Sequence, residues 1–271
     1  MRGVTRFFLL TYAMTWMCFI ASASLPAARV PLLLLGAFAP TLMAFVLTAR
    51  EAGREGVRDL LRRLGRWRVG SRWYAFALGY MLAIKSAVAV TYRAAYGAWP
   101  AVGNEPWYQL LLLVIVAGII GGPLGEEVGW RGYALPRLRE RYGLALASVL
   151  LGIVWALWHA PLFFIPGGDQ LGQALVPYVL RVIGMSVAIA WLYQRTNGSV
   201  LLCVLMHSAI NQTKDIVPSA VPGATNPFTL HASPVAWLTV LYVWVVAAVL
   251  LVRLDAEGVV SYPAAHAHGH E

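Results

Sequence analysis

Residues 107–138 read WYQLLLLVIVAGIIGGPLGEEVGWRGYALPRL. The first nineteen positions carry no charge, and such a run is about long enough for a helix to cross the roughly 30 Å hydrocarbon layer of a bilayer. It ends on two adjacent carboxylates, Glu126 and Glu127, followed by Arg131. The rest of the chain follows the same pattern. Hydrophobic residues make up 59% of the 271 positions and charged residues only 12%, against roughly 25% charged in soluble domains. That composition cannot cover a water-exposed surface, so the apolar excess belongs to membrane spans.

Further apolar runs lie at 7–25, 30–48, 73–92, 143–165, 175–193, 199–210 and 235–252, and the run quoted above occupies 107–130. The expected fold is an all-α polytopic membrane helix bundle of about eight transmembrane helices. The first run follows Arg2 and Arg6 and is long enough to span, so it reads as an uncleaved helix rather than a signal peptide. Between the second and third runs, residues 50–72 are rich in arginine. There Val57, Leu60, Leu61, Leu64 and Trp67 recur at helical spacing, which predicts an interfacial amphipathic helix lying against anionic lipid. Residues 1–258 form a single membrane-embedded domain, with a motif core at about 107–211. Residues 259–271 read as a disordered tail containing His266, His268 and His270.

The formal net charge is +9, but the arginines sit in short connections between apolar runs. This placement is a positive-inside signal and argues against a nucleic-acid partner. With a cytoplasmic N-terminus, the segments 50–72, 131–141 and Arg195 all fall inside, and both termini are cytoplasmic. Arginine preference and an Ala-rich background point to a bacterial inner (cytoplasmic) membrane. Cys18 and Cys203 lie in apolar runs without CxxC spacing, so neither a disulfide framework nor a cysteine zinc site is available.

Ionisable groups within spans are costly to insert, by roughly 2.5 to 3.5 kcal/mol each, and mark function by default. Glu127 and Arg131 stand at i and i+4, the spacing of a helical ion pair, while Glu126 points about 100° away. His159 lies four residues after Trp155 in the fifth run, and His207 stands four residues before Asn211 in the seventh. A carboxylate, two imidazoles and an amide are the parts needed to activate a water and to stabilise an oxyanion. Glu126 can take the water's proton, His159 can position that water, and His207 and Asn211 can donate to a tetrahedral intermediate. Glu126, His159 and His207 could instead hold a divalent zinc ion with one position open to water. The metal-free reading is favoured because an amide oxygen such as that of Asn211 is a poor zinc ligand. HExxH, GxSxG and GxGD patterns are missing from the sequence.

These motifs resemble those of the CAAX-protease and bacteriocin-processing (CPBP) family, which includes the type II CAAX prenyl endopeptidases. That family's pattern is EExxxR, FxxxH and HxxxN or HxxxD. Glu126, Glu127 and Arg131 match the first part, His159 the second, and His207 with Asn211 the third; Trp155 stands where the family has Phe. The resemblance covers about 110–211. It implies an intramembrane endopeptidase in which Glu126 is the catalytic glutamate, His159 its partner on the water, and His207 and Asn211 complete the centre. Glu127, Arg131 and Trp155 are then structural supports. The implied partners are membrane lipid and a membrane-anchored peptide or protein substrate, and no cofactor is required in the favoured reading.

The alternatives are a proton-coupled transporter and a catalytically inactive membrane scaffold. The transporter gains weight if Lys85 and Arg181, which also lie in spans, join the same cavity. One geometric conflict follows from straight helices. At 1.5 Å per residue, His159 lies about 24 Å beyond Gly143, whereas Glu126 falls near the basic end of its own span. The two meet only if the fourth helix bends at Gly121 to Pro123 or the fifth begins later than Gly143.

Overall fold

The computed structural model describes residues 2–103, 112, 116, 121–165, 168–213, 216–221 and 226–257. Among them there are helices and no strands. Helix α1 is Arg2–Ser24, α2 is Arg29–Leu64 and α3 is Ser71–Tyr96. A short α4, Pro123–Glu127, leads through a π-helical segment, Val128–Ala134, into α5, Leu135–Trp158. Then come α6, Leu175–Arg195, α7, Val200–Gln212, and α8, Pro234–Glu257. Six helical stretches among the described residues are long and apolar enough to cross a membrane, and the apolar Val200–Gln212 is shorter. At 13 residues α7 reaches only about 20 Å, short of a full crossing. Most of 107–120 and all of the tail 259–271 lie outside the described residues.

The expected span at 107–130 is corrected. Gly121 and Gly122 are non-helical and Gly122 has φ 113°, a value open to glycine but strained for other residues. A new helix starts at Pro123, which suits a first helical position because its missing N–H is not needed there. Glu126 and Glu127 therefore sit in the first turns of a descending helix, not in the last turn of the preceding run.

The chain then folds back at Gly143, with φ 71° and ψ 166°. A straight helix would separate positions 126 and 155 by about 43 Å. Instead, the Trp155 indole meets the Glu126 carboxylate, and the rings of Trp130 and Trp158 are 5.8 Å apart. Glu126 lies about 26 Å before the turn and His159 about 24 Å after it, so both reach the same depth. Of the two ways the sequence left for them to meet, the break at Gly121 to Pro123 is the one realised.

Close backbone contact fixes α4 and the π segment against α2. Gly125 and Gly129 lie four residues apart and face the α2 backbone. A β-carbon on Gly125 would sit 2.7 Å from the Ala37 carbonyl oxygen, and one on Gly129 would sit 2.6 Å from that of Pro40. Small residues at this spacing let membrane helices pack at short range. Thr41 Oγ1 donates to the Leu124 carbonyl at 2.9 Å, a further tie across the same contact. On the other side, α1 holds the returning half of α5. The Tyr12 hydroxyl donates to the Val154 carbonyl, and Trp16 Nε1 donates to Trp158 O at 3.0 Å.

The basic segments converge on one end of the bundle. Arg63 donates to Gly132 O and to the Tyr193 hydroxyl, and Arg66 to Asn197 O. Arg137 pairs with Glu51, and Arg139 donates to Gln194. Gly3, near the start of α1, lies beside Glu51 and Tyr133 at this end. Leu175, which opens α6, donates its N–H to Pro227 O just ahead of α8, and further along Trp244 bonds to Leu180, so α8 runs parallel to α6 and ends toward the same side. The amphipathic helix expected at 50–72 is shorter than its pattern. Gly53 breaks α2 at φ 55° and ψ −150°, and the following helix stops at Leu64, where the Gly65 N–H caps the Leu61 carbonyl. Leu60 is buried against Gly132, whereas Leu61 and Trp67 are exposed and Trp67 lies beyond the helix.

Replacing Gly129 with Ala drives a methyl into a main-chain carbonyl that has no room to yield. The expected loss is about 1 to 3 kcal/mol, seen as a lower thermal midpoint in detergent. Gly79→Ala meets nothing within 4 Å and serves as the unaffected control.

Candidate active site

The two adjacent glutamates have different surroundings. Glu127 is fully buried and its Oε1 accepts from Arg131 Nη1 at 2.8 Å and from His207 Nδ1 at 2.9 Å. The i, i+4 pair expected from the sequence thus forms, and α7 joins it through His207. Arg131 is also fully buried. Its Nη2 donates to Ser186 Oγ at 3.3 Å, Ser186 in turn donates to the Ser148 carbonyl at 2.9 Å, and the guanidinium lies 4.4 Å from the Trp155 ring centre. An ion pair shielded from water needs such additional partners to offset the loss of solvation.

Glu126 turns away from this cluster and lines a cavity of about 490 Å³. Its Oε2 accepts from Trp155 Nε1 at 2.7 Å, inside the range of charge-assisted hydrogen bonds. The same indole stands edge-on to the His207 ring, with centres 5.0 Å apart. Trp155 therefore touches Glu126, His207 and Arg131 at once. From the sequence it is expected only as a structural support. The signal was present in the residue type, since Trp carries a donor that Phe lacks.

His159 caps the end of α5. Its Nδ1 donates to the Trp155 carbonyl at 2.8 Å, and its ring packs edge-on against Trp158 and Tyr178 at 4.7 and 5.8 Å. A carbonyl or carboxylate oxygen can only accept, so both histidines carry a proton on Nδ1. In each ring Nε2 is the nitrogen available to a ligand. Asn211 follows His207 by one turn of α7. Glu126, Trp155, His159, His207 and Asn211 all line the one cavity, together with Tyr178, Lys85 and Arg181. Among the described residues, no three His, Cys, Asp or Glu side chains are arranged to hold a metal ion.

The helical membrane bundle brings a carboxylate, two imidazoles and an amide to one cavity, the groups that a membrane-embedded hydrolase needs. Two comparisons show what the chain is similar to. Residues 107–213 match the family described as type II CAAX prenyl endopeptidase Rce1-like. A protein named CAAX prenyl protease 2 from Methanococcus maripaludis is 25% identical over 233 residues, covering 78% of this chain and 83% of the relative. On these findings the chain is similar to type II CAAX prenyl endopeptidases, and they support a protease. Lys85 and Arg181 do join the cavity, the condition attached to the transporter reading. Since the chain is a protease, the two cations need a different role.

Arg131→Ala strands the buried Glu127 carboxylate and should cost about 3 to 5 kcal/mol. The expected outcome is a sharp fall in folded, monodisperse protein after extraction. A well-folded but wholly inactive Arg131→Ala protein would instead place Arg131 in the chemistry.

Proposed function

We propose that the protein is an intramembrane endopeptidase that hydrolyses peptide bonds of membrane-associated substrates with a water activated by Glu126 and His159. The observation that carries this reading is the division of labour between adjacent carboxylates. Glu127 is taken up by Arg131 and His207, whereas Glu126 lines the cavity and is held by a neutral indole donor. A carboxylate held in place but not neutralised by a cation remains able to accept a proton.

In the proposed reaction a water sits between Glu126 and His159 Nε2. Glu126 takes one proton as the water oxygen bonds to the scissile carbonyl carbon. The oxyanion that develops accepts a hydrogen bond from the Asn211 amide and, when the ring is protonated on both nitrogens, from His207 Nε2. The C–N bond then breaks, and Glu126 returns the proton to the leaving amine. Trp155 orients the Glu126 carboxylate throughout. The substrate is a membrane-anchored peptide or protein, approached from the surrounding lipid. The relative's name couples its own activity to prenylated CAAX tails, while for this chain the peptidase chemistry is the better supported part. The basic end, where arginines from α2, α5 and α6 meet, faces the cytoplasm of a bacterial inner membrane, with both termini on that side.

Glu126→Gln preserves shape and hydrogen bonding but cannot take the proton. It should abolish cleavage of a membrane-anchored peptide by the purified protein while leaving the fold intact. Prolonged chelation should leave unmodified protein active. Activity lost on chelation and restored by one equivalent of zinc would overturn the metal-free mechanism.

Trp155→Phe keeps the ring under Arg131 but removes the N–H from Glu126. A hydrogen bond to a charged group is worth about 1.5 to 3 kcal/mol. The expected result is a folded enzyme whose kcat is lower by roughly tenfold or more. An unchanged kcat would show that the indole does not orient the glutamate.

A further inference from the structure

Lys85 and Arg181 are the two cavity cations that the proposed chemistry does not use. Lys85 is 3% exposed, and its ammonium donates to Val217 O, Ser219 Oγ and Thr239 Oγ1 at 2.9, 3.0 and 3.3 Å. All three partners are neutral. Arg181 donates to Gln173 Oε1 at 3.0 Å, and its Nε is buried without a hydrogen-bond partner. Among the described residues neither cation forms an ion pair, and the charge of Arg181 acts on Lys85. Two like charges held near one another in an apolar bundle are unfavourable unless something anionic joins them.

The cavity supplies the room for such a group. Lys85 enters from α3 and Arg181 from α6, and both face the space that Glu126 lines. Two acids also border it, Glu126 and Asp169. Glu126 is held by Trp155 on the proposed catalytic side, and Asp169 has an interaction of its own. Tyr178 links the cations to the proposed reaction centre. Its ring is 5.8 Å from that of His159 and 5.2 Å from Arg181 Cζ, so the guanidinium lies within about 11 Å of the imidazole. A few residues of extended peptide cover that distance.

We infer that Arg181, supported by the charge of Lys85, forms an anion subsite in the cavity that takes a carboxylate of the peptide substrate. The three donors of Lys85 are already engaged, so Arg181 is the direct ligand, and its planar fork matches a carboxylate. The shared chemistry is an oxyanion held by a guanidinium, and a lipid phosphate is the other possible source. The assignment rests on the peptidase reading for the identity of the ligand, but it can be tested without turnover.

The test uses the Glu126→Gln protein in phosphatidylcholine nanodiscs and a fluorescent membrane-anchored peptide with either a free C-terminal carboxylate or a carboxamide. The carboxylate form should bind roughly tenfold more tightly. Arg181→Gln in the same background should remove the preference, and added phosphatidylglycerol should leave it intact. Equal affinity for the two peptides overturns the inference and requires no substitution at Arg181. So does a preference that survives both Arg181→Gln and Lys85→Met, which would put the anion elsewhere. Loss of the preference on adding phosphatidylglycerol would assign the subsite to lipid phosphate, against the peptide carboxylate. Failure of the peptidase reading shows separately, as no cleavage of the same peptide by the unmodified protein.

Discussion

The Glu127 carboxylate holds three parts of the bundle in register. It is fully buried, so its charge must be met inside the protein, and Arg131 and His207 meet it on a single oxygen. Arg131 is one helical turn away in the π segment, while His207 comes from α7, eighty positions later in the chain. The guanidinium then lies on the Trp155 ring and reaches Ser186 of α6. Removing any one member leaves a charge or donor stranded in low dielectric, and this penalty makes the arrangement specific.

Placing that cluster at the right depth is the work of glycine and proline. Gly122 and Pro123 start a helix where the apolar pattern would continue one, and Gly143 reverses the chain at the basic end. Gly125 and Gly129 allow contact with the α2 backbone too close for any side chain. Two halves of a hairpin of similar length then return Trp155 and His159 to the level of Glu126. The π segment between α4 and α5 carries Arg131, consistent with the tendency of such segments to occur at functional sites.

Charge is sorted along the molecule. At one end, arginines of α2 and α5 are tied to Glu51, Gln194 and backbone carbonyls, near enough to water and headgroups for their charge to be tolerated. Within the bundle, acids and cations are enclosed and each has a structural consequence. Glu127 organises the core, Glu126 is held by an indole, and Lys85 fastens α3 to α8 and to the 217–219 segment. Such sorting follows from the low dielectric, in which an unpaired charge persists only where hydrogen bonds or a ligand compensate it.

The sequence alone determined the all-α membrane class, because apolar runs of spanning length have no other stable solution. It also singled out Glu126, Glu127, Arg131, His159, His207 and Asn211 as candidates, since polar residues inside such runs stand out by type, and their i, i+4 spacings are local facts of helix geometry. It could not place the helix start at Pro123. A Gly-Gly-Pro run can bend a helix or end one, and the outcome depends on what packs against it. Nor could it show that Trp155 donates to Glu126, that His207 joins Glu127, or that Lys85 and Arg181 share the cavity. These contacts join residues tens of positions apart, and only the fold-back at Gly143 and the close packing on α2 bring them within hydrogen-bonding reach.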